Sequence, residues 1–263
     1  IVSEICEPKY RTGFDRNFWL WEQYDPQATY LMVADVARGD GADYSVFHVI
    51  KLETMEVIGE YQGKPNLEEY ATILDSTGRE FGNCLLVVEN NSLGISILEK
   101  LQQKGYPNIY YSIKGTHEFI DSVRAESVNN SVPGFTTSSK TRPLIVAKME
   151  EFIRNKLITT YSTRLANEFK TFIWNNNRAE AMRSYHDDLV MALAIGCWVR
   201  DTALTVSKKD LEYKKAMVSS MKLNTTRLHT SIPGMTGHQQ GMWSDNAKKE
   251  MQQQKDFIWL IKG

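Results

Sequence analysis

The stretch Ser184-Tyr-His-Asp-Asp-Leu-Val-Met-Ala-Leu-Ala-Ile-Gly-Cys-Trp198 predicts how this chain is organised. It places two adjacent carboxylates, Asp187 and Asp188, in the first turn of an otherwise apolar helix. Such a helix packs against a core, and a carboxylate carried into a core is costly unless something binds it. The alternative is that both aspartates simply favour the positive end of the helix dipole. The functional question is therefore what Asp188 faces.

Two earlier segments end in a carboxylate and are typical of buried strands. They are Tyr30-Leu-Met-Val-Ala-Asp35 and Leu85-Leu-Val-Val-Glu89. A single acid after a strand is more often a turn residue or a helix cap. Three acids on two strand ends and one packed helix, however, are the oxygen ligands that Mg²⁺ or Mn²⁺ prefers. Two such ions would support hydrolysis of a phosphodiester.

Two further residues are expected to lie at this site. Asp43, just past a glycine-bearing hairpin link, is a candidate fourth metal-site acid or an outer neighbour of the ligands. His186 is expected beside the ligands rather than among them, because a hard-metal site does not require imidazole. Asp187 is expected in the same supporting position.

The spacing of apolar residues predicts a mixed α/β domain, with a central sheet flanked by helices. Three strands in an antiparallel meander are followed by alternating helices and strands, a long loop and a final helix. The predicted strands are 31–37, 44–51, 55–62, 84–88, 108–113 and, at an edge, 156–160. The predicted helices are 67–81 with Asn66 as N-cap, 96–104 closed by Gly105, and 142–155 with Pro143 in its first turn. Residues 114–140 read as a loop, and 168–174 as a strand or a short helix.

Composition suits one packed domain with extra segments: 263 residues, 42% hydrophobic and 24% charged, with a net charge of -1. We expect a lead-in at 1–29, a domain at 30–204 and a basic, partly disordered tail at 205–263. The tail carries ten Lys and Arg against five Asp and Glu. The 3 cysteines are widely spaced, which favours an intracellular setting without disulfides. No apolar run reaches the roughly 18 residues of a membrane span.

A possible phosphate-binding segment precedes the predicted helix 142–155. In Gly134-Phe-Thr-Thr-Ser-Ser-Lys140-Thr-Arg142-Pro143, two cations and several hydroxyls lead into a helix start. Lys140, Arg142 and free backbone N–H groups are suited to a DNA phosphate. Ordinary helix capping by Thr141 explains the same spacing equally well. By contrast, Gly59-Glu-Tyr-Gln-Gly63-Lys64-Pro65 fails as a phosphate loop, because Pro65 replaces the magnesium-binding hydroxyl residue.

Taken together, these motifs resemble the nuclease domain of the large terminase subunit of tailed bacteriophages, of the myovirus type. The matching stretches are Ala34-Asp35-Val-Ala-Arg-Gly-Asp-Gly-Ala-Asp43-Tyr-Ser45, Val88-Glu89-Asn-Asn-Ser-Leu-Gly94, Thr137-Ser-Ser-Lys-Thr-Arg142 and Tyr185-His-Asp-Asp188-Leu-Val-Met-Ala192. The resemblance implies an RNase H-like fold of the resolvase and integrase type. It also implies that Asp35, Glu89 and Asp188 are the catalytic acids, and it selects Asp188 over Asp187.

The resemblance further implies a function: a metal-dependent endonuclease that cuts concatemeric double-stranded viral DNA during packaging. The resemblance also implies an N-terminal packaging ATPase domain in the same polypeptide, outside this sequence, which begins with Ile and has no NTPase motif. Portal protein and small terminase subunit are the further expected partners, with no membrane, in the host cytoplasm at the procapsid. Two alternatives remain, a Holliday-junction-resolvase-like nuclease and a DNA-gripping translocation module without cleavage.

Overall fold

The computed structural model describes residues 4–13, 15–37, 43–91, 93–113, 119–120, 131–175 and 178–200. The strands are β1 (Tyr10–Thr12), β2 (Phe18–Leu20), β3 (Tyr30–Asp35), β4 (Ser45–Lys51), β5 (Glu56–Gly63), β6 (Leu85–Val88), β7 (Tyr111–Ile113), β8 (Phe119–Ile120), β9 (Ser131–Pro133), β10 (Phe172–Asn175) and β11 (Arg178–Ala181). The helices are α1 (Leu67–Glu80), α2 (Gly94–Gln103), α3 (Thr141–Arg154), α4 (Thr163–Thr171) and α5 (188–200).

The main sheet has six strands in the order β1-β2-β5-β4-β3-β6. All neighbours are antiparallel except β3 and β6, which are parallel and pair Ala34 with Val88. The predicted meander of β3, β4 and β5 is confirmed. So is the doubly buried strand β6, whose four residues are all buried. A parallel pair aligns the carboxyl ends of its strands, so Asp35 and Glu89 end up at the same edge.

Side chains alternate across each strand, and this assigns every residue to one face of the sheet. Met32 and Ala34 of β3 pack with α1 and α2. Leu31 and Val33 pack on the opposite face, with α3, α4 and α5. The alternation puts Asp35 on the α5 face, and the same count from Leu85 and Val87 puts Glu89 there too.

Helix α5 is held flat on the sheet by its apolar residues. Leu189, Leu193 and Ile195 have no exposed surface. Full burial of side chains of this size contributes roughly 1.5–3 kcal/mol each. On the other face, α1 begins at the predicted cap: the Asn66 side chain accepts from the Glu69 N–H, and the Glu69 side chain accepts from the Asn66 N–H.

Several elements differ from the sequence predictions. Part of the 114–140 loop forms strands β8 and β9, which flank β7 in a second, three-stranded sheet. These strands are short, and β9 is polar and half-buried, so they depend on distant partners that local patterning does not reveal. The lead-in likewise supplies β1 and β2 to the main sheet. The predicted edge strand 156–160 is reduced to one bridge between Glu56 and Thr159.

Two further differences concern the ends of the last helices. The ambiguous segment 168–174 is both helix and strand, because α4 passes directly into β10. Asp187 precedes α5 instead of lying within it, and its carbonyl accepts the first helical bond, from Met191. Asp188 is therefore the first residue of the helix.

The described residues all belong to one compact unit, which ends at Lys209. The predicted basic tail at 205–263 lies outside the described residues, and the three predicted segment boundaries stay predictions. In the described part of the chain, no helix is long and apolar enough to cross a bilayer.

Candidate metal centre

Asp35 and Glu89 lie side by side at the carboxyl ends of β3 and β6. The Glu89 N–H donates to the Ala34 carbonyl over 2.9 Å, which continues the parallel ladder past the last strand pair. Burial and the nearby charge of Glu89 both raise the pKa of the Asp35 carboxyl group. Two acids placed this close at one edge of the sheet favour a bound cation.

The backbone and side chain of Glu89 are fixed by the turn into α2. Asn91 Nδ2 donates to Glu89 Oε1 at 2.9 Å and to the Thr137 carbonyl at 3.0 Å. Gly94 begins α2 directly against Glu89, and a Cβ atom at Gly94 would lie 1.7 Å from the Glu89 carbonyl oxygen. Only glycine permits this approach, so a glycine at position 94 is needed to keep Glu89 in its position at the end of β6.

Asp188 reaches the same end of the sheet from α5. Its Oδ2 accepts from the Tyr44 N–H over 3.1 Å, at the start of β4. His186 lies between two acids, with its Nδ1 3.9 Å from Asp188 Oδ2 and 3.6 Å from Asp43 Oδ1. Its ring meets the Tyr44 ring edge-on. His186 and Asp43 therefore both lie beside Asp188, and their roles at a metal site stay predictions.

The electrostatics of the acids follow from burial and from one another. Burial raises the pKa of Asp35 well above its usual value, and the charges of Glu89 and Asp188 raise it further. Burial also raises the pKa of Asp188 to about 6, although the Tyr44 N–H opposes the shift. Asp43 and Asp187 add to this increase, and His186 reduces it. This end of the sheet carries an excess of negative charge, which a divalent cation would neutralise.

Asp187 has a different partner from the other acids. Its Oδ2 forms an ion pair with Arg142 Nη2, and Arg142 Nε donates to the Ala179 carbonyl over 2.9 Å. Arg142 thereby connects α3, the β10–β11 hairpin and the residue that precedes Asp188. Its guanidinium is committed to protein partners, whereas Lys140 is exposed.

The start of α3 is capped from within the chain. The Thr141 N–H donates to Ser138 Oγ, and the Arg142 N–H donates to the Ser138 carbonyl. Thr141 Oγ1 in turn accepts from the Ser138 N–H at 2.7 Å. These two amides already have partners, but the predicted capping by Thr141 is wrong: Thr141 is the first residue of α3, and Ser138 supplies both acceptors. The DNA-binding role of Lys140 and Arg142 stays a prediction.

The donor set suits a hard divalent cation, but the ligands are not assembled as a cage. Among the described residues, no three His, Cys, Asp or Glu side chains are grouped closely enough to hold a metal ion. Asp188 Oδ2 accepts from the Tyr44 N–H, and the charges of Asp188 and Glu89 both raise the pKa of Asp35 after burial does.

Sequence patterning missed the groups that hold these acids. Asn91 was visible only as an unassigned member of the stretch from Val88 to Gly94, and the approach of Gly94 to Glu89 depends on the three-dimensional turn. The Tyr44 N–H is a backbone donor, which leaves no trace in side-chain pattern. The one available signal was the glycine five residues after Glu89, at the start of a predicted helix.

The fold is RNase H-like, and it is the fold of phage large-terminase nuclease domains. Three solved structures are similar to this chain at 19% identity. Two are the large terminase nuclease from thermophilic phage G20c, with bound cobalt and with bound magnesium; each match covers 74% of this chain and 92% of that one, with a TM-score of 0.57. The third is the Thermus phage P74-26 large terminase nuclease domain. That match covers 73% of this chain and 88% of that one, with a TM-score of 0.54.

One curated relative extends the similarity to sequence. The large terminase subunit of Thermus virus P23-45 is 25% identical over 178 residues, which is 66% of this chain. The match spans 32% of that relative, so this chain corresponds to about a third of its length. No protein-family model matches the chain. The predicted resemblance to terminase nuclease domains and the predicted fold class are both confirmed.

Proposed function

We propose that this chain is a metal-dependent endonuclease that cuts concatemeric double-stranded viral DNA during genome packaging, as the nuclease part of a terminase large subunit. The observation that carries the proposal is the arrival of Asp35, Glu89 and Asp188 at one end of the sheet, from two strands and a helix. The likeness to terminase nuclease domains supports it.

In this proposal, Asp35, Glu89 and Asp188 hold Mg²⁺ or Mn²⁺, as two ions, and Asp43 adds a further carboxylate. The G20c nuclease structures contain magnesium in one case and cobalt in another, which supports a divalent cation here. When bound, two such ions supply an activated water and stabilise the leaving oxygen of a phosphodiester.

The remaining residues of the site orient the proposed metal ligands. Asn91 orients the Glu89 carboxylate, and the Tyr44 N–H orients that of Asp188. His186 lies between Asp188 and Asp43 and separates the two carboxylates. Arg142 holds Asp187 away from the metal ligands, which gives the two adjacent aspartates different roles.

Double-stranded DNA is the proposed substrate, with Lys140 at its backbone and Arg142 as a second, less accessible cation. A packaging ATPase domain in the same polypeptide, a portal protein and a small terminase subunit are the proposed partners, at the procapsid in the host cytoplasm. The curated relative's designation as a terminase large subunit supports this assignment.

Cleavage of supercoiled plasmid in Mg²⁺ or Mn²⁺ tests the activity. Asp35→Asn, Glu89→Gln and Asp188→Asn should each abolish cleavage, whereas Asp187→Asn should be milder. Asp75→Asn is a matched control, since Asp75 is a half-buried acid paired with Arg79 on the other face of the sheet. Full cleavage by Asp188→Asn would refute the assignment.

The same assay separates the alternatives. A strong preference for four-way junctions over linear duplex would favour the resolvase-like nuclease. Tight DNA binding by wild-type protein with no cleavage in either metal would favour the gripping module.

A further inference from the structure

The first turn of α5 is attached to the rest of the domain by two buried side chains. Glu168 Oε2 accepts from the Val190 N–H at 3.1 Å. His48 Nε2 lies 2.9 Å from the Leu189 carbonyl oxygen, and since a carbonyl only accepts, His48 donates from this nitrogen. Both bonds are made to the two residues that directly follow Asp188.

These side chains come from two other elements of the domain. Glu168 lies on α4 and is 8% exposed, and Gln62 of β5 donates to its other oxygen at 3.3 Å. His48 is fully buried on β4, on the sheet face that α5 covers. Helix α5 is therefore hydrogen-bonded to the sheet through His48 and to α4 through Glu168.

The polar layer continues to the start of α4. His48 Nδ1 lies 4.0 Å from Glu60 Oε2, and Glu60 is also fully buried. Glu60 Oε1 accepts from Ser162 Oγ at 2.7 Å and from Arg164 Nε at 2.9 Å. Ser162 is the N-cap of α4. The same layer thus fixes the start of the helix that carries Glu168.

These buried polar side chains are not needed to stabilise a core. Burying polar and charged groups requires desolvation, which is unfavourable, and apolar side chains of similar volume often stabilise a protein as well or better. What hydrogen bonds add is direction. The hydrophobic effect is non-directional, whereas hydrogen bonds to Leu189 and Val190 require a particular distance and angle and so help to specify the position of the helix.

We propose that Glu168 and His48 are positioning residues for the metal site: they fix α5 along its axis and thereby set how far Asp188 reaches towards Asp35 and Glu89. The inference rests on the proposed function. A helix rises about 1.5 Å per residue, so a shift of a fraction of one residue would already misplace a metal ligand.

The test uses apolar replacements of similar size, Glu168→Met and His48→Leu, together with Glu168→Gln. Mn²⁺ affinity is measured by titration calorimetry, without DNA. We expect each apolar variant to stay folded and to bind Mn²⁺ about tenfold more weakly, in the range found for residues that support metal ligands. Glu168→Gln keeps an oxygen for the Val190 N–H and should bind Mn²⁺ like the wild type.

Leu74→Ala is the stability control, because Leu74 is buried in α1 on the opposite face of the sheet. It should lower the melting temperature and leave Mn²⁺ affinity unchanged. Wild-type affinity in Glu168→Met and His48→Leu would overturn the proposal. An equal loss in Glu168→Gln and Glu168→Met would overturn it too, because the acceptor would then be irrelevant.

A second measurement keeps the inference separate from the proposed function. The Tyr44 N–H is bonded to Asp188 Oδ2, so its hydrogen exchange in metal-free protein reports the position of Asp188. We expect about tenfold faster exchange of this amide in Glu168→Met than in wild type or Glu168→Gln. Unchanged exchange would refute the positioning role, whereas a wild-type protein that binds no Mn²⁺ would refute the metal site itself.

Discussion

Replacing Asp188 by Asn should stabilise the metal-free protein at alkaline pH while it removes activity. Burial raises the pKa of Asp188 to about 6, and the charges of Asp43 and Asp187 contribute. A carboxyl group whose pKa is raised on folding stabilises the fold at low pH, where it is protonated in both states. That contribution is lost as the pH rises from its unfolded value, about 4, through 6.

The magnitude follows from the size of the shift. One pKa unit corresponds to about 1.4 kcal/mol, so a shift of about two units costs the folded protein roughly 3 kcal/mol at pH 8. The Asp188 side chain keeps 16% of its exposure, and solvent screening reduces this to about 2 kcal/mol. Asn cannot ionise, and its Oδ1 can still accept from the Tyr44 N–H. The variant therefore avoids the cost and keeps the contact.

Urea denaturation in EDTA, followed by circular dichroism at several pH values between 4 and 8.5, measures the difference. The free energy of unfolding of Asp188→Asn should exceed that of wild type by about 2 kcal/mol at pH 8, and this difference should decrease towards zero at pH 4. Added Mg²⁺ should then stabilise wild type more than the variant, because only wild type retains the full ligand set. The reasoning would be refuted if the difference in free energy of unfolding between the two proteins did not change with pH, or if the variant were less stable than wild type at pH 8.

Three further variants probe the surroundings of the site. Gly94→Ala should reduce cleavage at least tenfold and lower the melting temperature, since its Cβ would lie 1.7 Å from the Glu89 carbonyl; equal activity in a plasmid assay would contradict this. Arg142→Ala should weaken cleavage more than Lys140→Ala, because only Arg142 holds Asp187; fluorescence titration with duplex DNA should show the salt dependence of binding reduced by Lys140→Ala. Burial raises the pKa of Glu168 to about 8, so the free energy of unfolding of wild type should fall relative to that of Glu168→Gln as the pH rises from 5 to 8 in EDTA, and a constant difference would argue against it.

The central sheet was predictable because its signals are local and mutually consistent. β3 and β6 are short apolar runs, the meander is punctuated by turn residues, and Asn66 begins α1 as a cap. Strands β8 and β9 were not predictable, because each depends on pairing with β7 rather than on its own composition. The same holds for β1 and β2, which join the sheet through β5.

The places of the three candidate acids in the fold were predictable for a different reason. Each acid ends or begins an element whose apolar pattern is strong, so a charge that interrupts the pattern marks a candidate. Their exact grouping was not predictable, because it depends on mutual repulsion and on backbone donors such as the Tyr44 N–H. Arg142 illustrates the limit: its charge suggested a phosphate contact, whereas its neighbours are Asp187 and a carbonyl group.

The polar layer under α5 was present in the sequence as an exception to alternation. His48 and Glu60 stand opposite each other in β4 and β5, at positions where the strand pattern calls for apolar side chains. Burying a polar side chain in a strand is energetically unfavourable. Such a residue therefore indicates a specific role, as does an acid at the end of a buried strand. The acids mark where the proposed metal binds, and the buried polar residues mark the element that must not move when it does.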